Sequence, residues 1–202
     1  MEREDPVFHA LYTYTKALSV ALGYRDLLTR LHSERVQGIS VAIGVARGLP
    51  KDQLNALRIA ASFHDIGKIG IPDHILLKPA KFDDAEWQEM KKHSEIGEKI
   101  MAATELVGSR QAALVIRHHH EHYDGQGYPD KLAGEDIPLC SRIISIADSY
   151  DAMAVTRSYH NARTHSEIMA ILQKENGTKH DPELMPLFCD MIETSKYKST
   201  KV

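Results

Sequence analysis

The sequence predicts an all-α fold. Apolar residues recur at helical spacing in one stretch after another, and no convincing alternating strand interrupts them. Glycine and proline punctuate the gaps between those stretches. The chain has 202 residues, 43% of them apolar, which suits one domain, or one plus a small appendage, with a real core.

Residues 7–23 carry Phe8, Leu11, Tyr12, Leu18 and Leu22 at helical spacing, with Gly23 as the expected stop. This segment, 1–23, reads as an N-terminal helix for packing or for linkage to a partner or sensor. Residues 26–47 form the next helix, with Leu28, Leu31, Val36, Ile39, Ile43 and Val45 as its apolar set and His32 among them. Gly48, Leu49 and Pro50 make a turn, and Asp52 is placed to start a third helix that runs to Phe63. That helix leads into His64, Asp65, Ile66, Gly67 and Lys68. Breaks follow at Gly70, Pro72 and Lys78-Pro79. Residues 83–101 read as one helix capped at Asp83 or Asp84. Trp87, Met90, Ile96, Ile100 and Met101 share a face, and His93 faces inward.

A buried-type run, Ala112 to Ile116, then delivers His118, His119, His120, Glu121 and His122 to a loop broken by Gly125, Gly127 and Pro129. Residues 139–154 are helical, with Asp148 and Asp151 embedded in an apolar setting where an unpaired charge would be costly. Helices over 165–175 and 182–194 complete the main domain, 24–194. The segment 195–202, rich in Lys and Ser/Thr, reads as a flexible tail.

The totals exclude several classes. A formal charge of −3 gives no basic face for a nucleic-acid polymer. Cys140 and Cys189 form neither a disulfide framework nor a CxxC site, and read as reduced thiols of a cytoplasmic protein. No apolar run reaches the length of a membrane span, and the polar N-terminus is not a signal peptide.

Twelve histidines are the unusual feature. The inward polar residues are His32, His64, Asp65, His93, His119, His120 and Asp148, drawn from separate helical stretches. Several converging imidazoles are hard to satisfy without an ion. Imidazole and carboxylate donors without thiolates suit iron, manganese, nickel or zinc rather than a structural zinc site. Seven donors exceed the needs of one ion, so two divalent metal ions are the economical reading. Asp65, with two oxygens, could bridge them. Paired metals are a recurrent device for phosphoester hydrolysis.

His64-Asp65-Ile66-Gly67-Lys68 resembles the HDxGK signature of HD-GYP domains. His119-His120-Glu121, followed by Asp124-Gly125-Gln126-Gly127-Tyr128-Pro129, resembles their HHE…DGxGYP signature. The likeness extends in register over about residues 24–190, through His32-Ser33-Glu34-Arg35-Val36, His93 and Asp148-Ser149-Tyr150-Asp151-Ala152 to Arg157-Ser158-Tyr159. It implies an HD-domain helical bundle with an extended GYP loop and a bacterial phosphodiesterase of cyclic dinucleotides, chiefly cyclic di-GMP. A metal-bridging hydroxide would be the nucleophile. The product would be linear pGpG, or GMP if both bonds are cut. His32, His64, Asp65 and Asp148 would hold one ion, and Asp65, His93, His119 and His120 the other, with iron or manganese favoured.

Lys68 and Asp65 carry the implied catalytic roles, Lys68 on the phosphate. Tyr128, Asp151, Arg157 and His160 are implied substrate contacts, Arg157 as a two-pronged phosphate clamp. His118 is implied to be structural, and Glu121 and Asp124 to hold the loop. Candidate partners are the cyclic dinucleotide, a sensory or receiver domain, a diguanylate cyclase, and a second copy of the chain.

Two positions depart from the pattern. Leu28 stands where some members place a glutamate for a third ion, and leucine cannot ligate. His160 stands where a permanent cation is usual, and imidazole is only partly charged near neutrality. Three other readings compete: a catalytically weak HD-GYP module that binds nucleotide or partner proteins, an HD phosphohydrolase of another nucleotide such as cyclic GMP-AMP, and a zinc protease of HxxEH spacing at His118–His122. The protease motif needs a continuing helix, which Gly125 denies.

Overall fold

In the computed structural model, residues 6–155 and 162–200 are described, with several side chains of the first helix and of the start of the second, Leu28 among them, outside that description. The described residues contain ten α-helices and two short 3-10 turns. An isolated bridge between Asn176 and His180 is the only β pairing among them. The all-α expectation holds.

Helix α1 spans Pro6–Arg25 and α2 spans Leu27–Ala46. Gly23 does not stop α1; the break is the single residue Asp26. Its carboxylate accepts from the Thr29 amide (3.3 Å) and hydroxyl (2.6 Å), so it caps α2. Helix α3 spans Lys51–Phe63 from an N-cap at Pro50. Asp52 therefore lies inside the first turn, where its charge meets the positive end of the helix dipole.

A 3-10 turn, Ile66–Gly70, and a short α4, Asp73–Leu76, follow. The helix expected across 83–101 is two helices, α5 (Asp84–Lys91) and α6 (His93–Ala102). Asp83 and Glu86 form a reciprocal capping box at the start of α5. At its end, side chains claim the carbonyls that a continuous helix would use: His93 Nδ1 lies 2.8 Å from the Met90 oxygen and Ser94 Oγ 3.1 Å from that of Lys91. The chain then runs through α7 (Ser109–Arg117), the long loop, α8 (Leu139–Ala154), α9 (His165–Lys174) and α10 (Leu184–Glu193).

Helix α2 packs on α3 and α8, and α6 packs on α7 and on the 3-10 turn. Ile39, Ile43, Leu57, Ile116, Ile143, Ile144 and Phe188 are fully buried where these helices meet. A separate small cluster, Ile71, Ile75 and Met90, sits beneath α4 and α5.

Two glycines of the signature motifs permit close approaches. A Cβ at Gly67 would overlap the carbonyl oxygen of His93, and one at Gly127 would overlap the backbone of Glu121 and His122. The first brings the 3-10 turn onto α6; the second folds the loop back on the histidine run. The loop is then tied to the α9–α10 connection, as the Tyr123 and Asp124 amides donate to Lys179 and Thr178 (3.2 and 2.8 Å). Arg142 of α8 fastens its far end, donating to Ile137 O (3.0 Å) and to the buried Asp181 (2.6 Å).

Of the segment 195–202, read from the sequence as a flexible tail, the described residues 195–200 lie back on the bundle. Tyr197 packs over Gly38, and the Ser199 amide donates to Tyr150 Oη at 2.8 Å. The apolar rings and the tyrosine hydroxyl offset a composition that by itself favours fraying.

The Gly67 approach yields a test. Gly67→Ala should push the 3-10 turn off α6 and destabilise the fold by about 1–3 kcal/mol, the cost typical of overpacking. A urea midpoint unchanged from the parent would show that the turn can move aside freely.

Candidate metal centre and substrate cleft

Each donor is set by a helix or by a helix end. His32 lies in α2, His64 caps the C-terminus of α3 with Asp65 next, and His93 opens α6. His119 and His120 follow directly on α7, and Asp148 lies in α8. Helix ends turn adjacent side chains inward together, which a helix interior cannot do.

The described donors fall into three overlapping groups, each with its atoms within 4.8 Å of one another: His32, His64 and Asp148; His64, Asp65 and His119; and His93, His119 and His120. Asp65 stands between the outer two. Its Oδ2 is 3.5 Å from His64 Nε2, and its Oδ1 is 3.6 Å from His93 Nε2. All seven residues expected from the sequence are therefore brought together, as candidate ligands for one or two divalent metals.

Four of the five imidazoles are anchored through Nδ1, which turns Nε2 inward. His64, His93 and His119 bond the carbonyls of Ala61, Met90 and Ile116 at 2.8, 2.8 and 2.6 Å. His32 Nδ1 meets Asp151 Oδ2 at 2.7 Å. This is how proteins fix ligating imidazoles. His64 Nε2 is buried and has no hydrogen-bond partner in the structure. A buried ring nitrogen left so, at the centre of an imidazole and carboxylate set, is what a bound cation would satisfy.

The electrostatics agree for four of the five rings; burial would lower the fifth, His32, but its hydrogen bonds to Asp148 and Asp151 raise it. Burial lowers the His64, His93 and His120 imidazoles, and takes His119 down to about 3, so these rings are neutral donors at pH 7. Burial would raise the Asp65 and Asp148 carboxyls, but Lys68 and the neighbouring histidines outweigh it for Asp65, and His32 does so for Asp148. Both are held well below the usual carboxylate range.

Lys68 reaches the cluster from the 3-10 turn, not from a continuing helix: its Nζ is 2.7 Å from Asp65 Oδ2. Tyr128 stacks on His120 with centroids 4.9 Å apart, and Lys91 lies 5.7 Å above its ring. Asp151, expected as a substrate contact, is buried behind His32, where its carboxylate also receives Arg35 Nε and Nη2 at 2.7 and 2.9 Å. Arg157 and His160 lie outside the described residues, as does the Leu28 side chain.

His118, Glu121 and Asp130 form a further group of possible ligands. Arg117 occupies both Asp130 oxygens (2.7 and 2.8 Å) and reaches Glu98 (2.7 Å), while His118 bonds Asp130 at 2.9 Å. With the Asp130 amide on Glu121 Oε1 (2.7 Å), this network is a latch that closes the loop on α6 and α7. His118 and Glu121 thus bond within the loop, and Asp124 caps the turn by accepting from the Gln126 amide at 3.0 Å.

An open cleft of about 350 Å³ lies over the donors, lined by Asp65, Lys68, His93, His120, Tyr128 and Asp148. Sequence reasoning missed other lining residues, Asp26, Thr29, Leu77, Phe82 and Trp87. It also missed the Arg35–Asp151 pair, although Arg35 at three residues past His32 shares its helix face. No local pattern marks Asp130 as the partner of Arg117.

Residues 18–184 match the HD domain family. Among known proteins, the chain is 39% identical over 165 residues to the cyclic di-GMP phosphodiesterase response regulator RpfG of Xanthomonas campestris, covering 82% of this chain and 44% of that protein. It is 36% identical over 173 residues to 3'3'-cGAMP-specific phosphodiesterase 2 of Vibrio cholerae, covering 86% and 33%. The chain spans less than half the length of either relative. Among solved structures, Bd1817, an HDG"Y"P protein from Bdellovibrio bacteriovorus, matches with TM-score 0.65 at 18% identity, over 92% of this chain and 60% of that one. The cyclic GMP-AMP phosphodiesterase V-cGAP3 of V. cholerae matches with TM-score 0.64 at 21% identity, over 82% and 44%. At these identities the structural likeness shows the fold.

Two variants separate ligation from support. Asp65→Ala should abolish loading of both donor groups, because the residue stands between them. Asp151→Asn should keep the ion near His32 but weaken it about 10–100-fold, the usual cost of losing a ligand's supporting carboxylate. Elemental analysis after dialysis against a graded chelator reads both. Full metal content in Asp65→Ala would remove that residue from the centre.

Proposed function

The chain belongs to the HD-domain superfamily, in its HD-GYP branch, and from that premise we propose that it is a metal-dependent phosphodiesterase that opens a cyclic dinucleotide to a linear one. The observation that carries this reading is the two donor groups, His32, His64 and Asp148 and His93, His119 and His120, with Asp65 lying between them and His64 Nε2 buried without a hydrogen-bond partner. Two ions, iron or manganese, fit a set without thiolates. His32, His64 and Asp148 would hold one, and His93, His119 and His120 the other, with Asp65 between. Bound divalent ions supply Lewis-acid polarisation of phosphoryl oxygens and a water of lowered pKa.

The chain's own groups do the rest. Lys68 sits at the cleft floor on Asp65, where its ammonium can meet a phosphate oxygen as negative charge builds. Burial keeps the Tyr128 phenol protonated, so it is a hydrogen-bond donor at neutral pH. The stacked His120 fixes the direction in which that hydroxyl points. The latch of Arg117 on Asp130 holds Tyr128 against the donor cluster by fixing the residue two positions further along the loop.

Two substrates are in contention. Similarity to RpfG favours cyclic di-GMP, the reading drawn from the signatures. Similarity to the V. cholerae enzymes named as 3'3'-cGAMP-specific favours the mixed dinucleotide. The two differ by one purine base, so the phosphodiester chemistry derived above serves both.

Chain loaded anaerobically with iron or manganese should convert cyclic di-GMP, 3'3'-cGAMP or both to linear dinucleotides, separable by chromatography. Lys68→Ala should lower kcat about 10²–10³-fold, as loss of a preorganised charge donor does. A fully loaded chain that binds both cyclic dinucleotides and cleaves neither would replace this reading with that of a nucleotide-binding module.

A further inference from the structure

Helical spacing places Trp87 on the buried face of its helix with Met90, yet the two part company in the structure. Met90 is buried, whereas Trp87 is 43% exposed and lines the cleft. Its ring stacks beside Phe82, with centroids 6.4 Å apart and planes at 16°. It also meets Tyr128 in a T-shaped contact at 6.0 Å, and Tyr128 stacks on His120 at 4.9 Å. An unbroken row of rings therefore runs from the metal donors to the cleft mouth. Leu77, 56% exposed, borders the same wall.

Such a surface is costly to leave open unless something covers it. Beneath it, the buried cluster of Ile71, Ile75 and Met90, with Phe82 packed against it, makes the wall rigid. Trp87 is two ring-to-ring steps from His120, close enough for one ligand to reach both. A ligand that puts phosphate at the donors and a flat apolar group on this wall is a nucleotide. Stacking on an aromatic face is sequence-tolerant, because every base has a π-face.

The geometry points to Phe82 and Trp87 as a base-stacking subsite: one purine of the bound dinucleotide lies on Trp87 while its phosphate lies at the histidine and aspartate cluster. This rests on the reading of the cleft as a cyclic-dinucleotide site. The subsite contributes affinity for a purine without choosing between guanine and adenine. Discrimination between cyclic di-GMP and 3'3'-cGAMP must then come from other residues.

Trp87 is the single tryptophan of the chain, so its emission reports on the subsite directly. Metal-loaded full chain, mixed rapidly with cyclic di-GMP or 3'3'-cGAMP, should show saturable quenching, while inorganic phosphate leaves the emission unmoved. Trp87→Ala should weaken dinucleotide binding in equilibrium dialysis by about ten- to a hundredfold, and Trp87→Phe should recover most of that. Binding that leaves the emission unchanged, or a Trp87→Ala affinity equal to the parent's, overturns the subsite. Quenching and binding without any hydrolysis would overturn the phosphodiesterase and leave the subsite standing. Hydrolysis with a KM indifferent to Trp87→Ala would do the reverse.

Discussion

The fold depends on the cost of burying Asp65. A carboxylate out of water is unfavourable unless it is paired, and this one is surrounded by His64, His93 and Lys68. Each partner arrives on a different piece of chain: the end of α3, the start of α6, and the 3-10 turn. The Gly67 approach to His93 brings the last two together. The close packing of α6 on that turn and the electrostatics of the cluster are therefore two views of one constraint. Apolar burial places the helices; the carboxylate decides how their ends must meet.

Support around the donors follows one scheme with two kinds of acceptor. Three histidines lean on backbone carbonyls three residues earlier, each in the helix that has just ended, so their aim is fixed by local geometry. His32 leans on Asp151, which is held in turn by Arg35. That arm joins α2 to α8 through side chains, which makes it the place where a distant substitution could most readily change the set of donors.

Much of this was legible in the sequence, for identifiable reasons. Helical periodicity gave the elements, and the donor residues stood out because imidazoles on inward faces need partners. The boundaries were less legible. Gly23 read as a stop because glycine weakens a helix, but Asp26 supplies a positive reason for a new start. The α5–α6 break was hidden because it depends on the His93 and Ser94 side chains capturing carbonyls, which periodicity does not register. Trp87 read as core because periodicity cannot tell a buried face from one lining a cleft. Arg117 and Asp130 were invisible as a pair, since only the folded loop brings them together.

The ties between the loop and the α9–α10 connection have a consequence for how the protein is made. Every candidate metal donor is present once residue 148 has been added. The acceptors for the loop amides are Thr178 and Lys179, and Arg142 waits for Asp181. Domains assemble from the N-terminus as the chain emerges. During synthesis there is thus an interval in which the chelating residues exist but the wall above them is not yet fastened. Residues 178–181 contribute no candidate ligand, yet their contacts decide when the loop that walls the cleft is fastened.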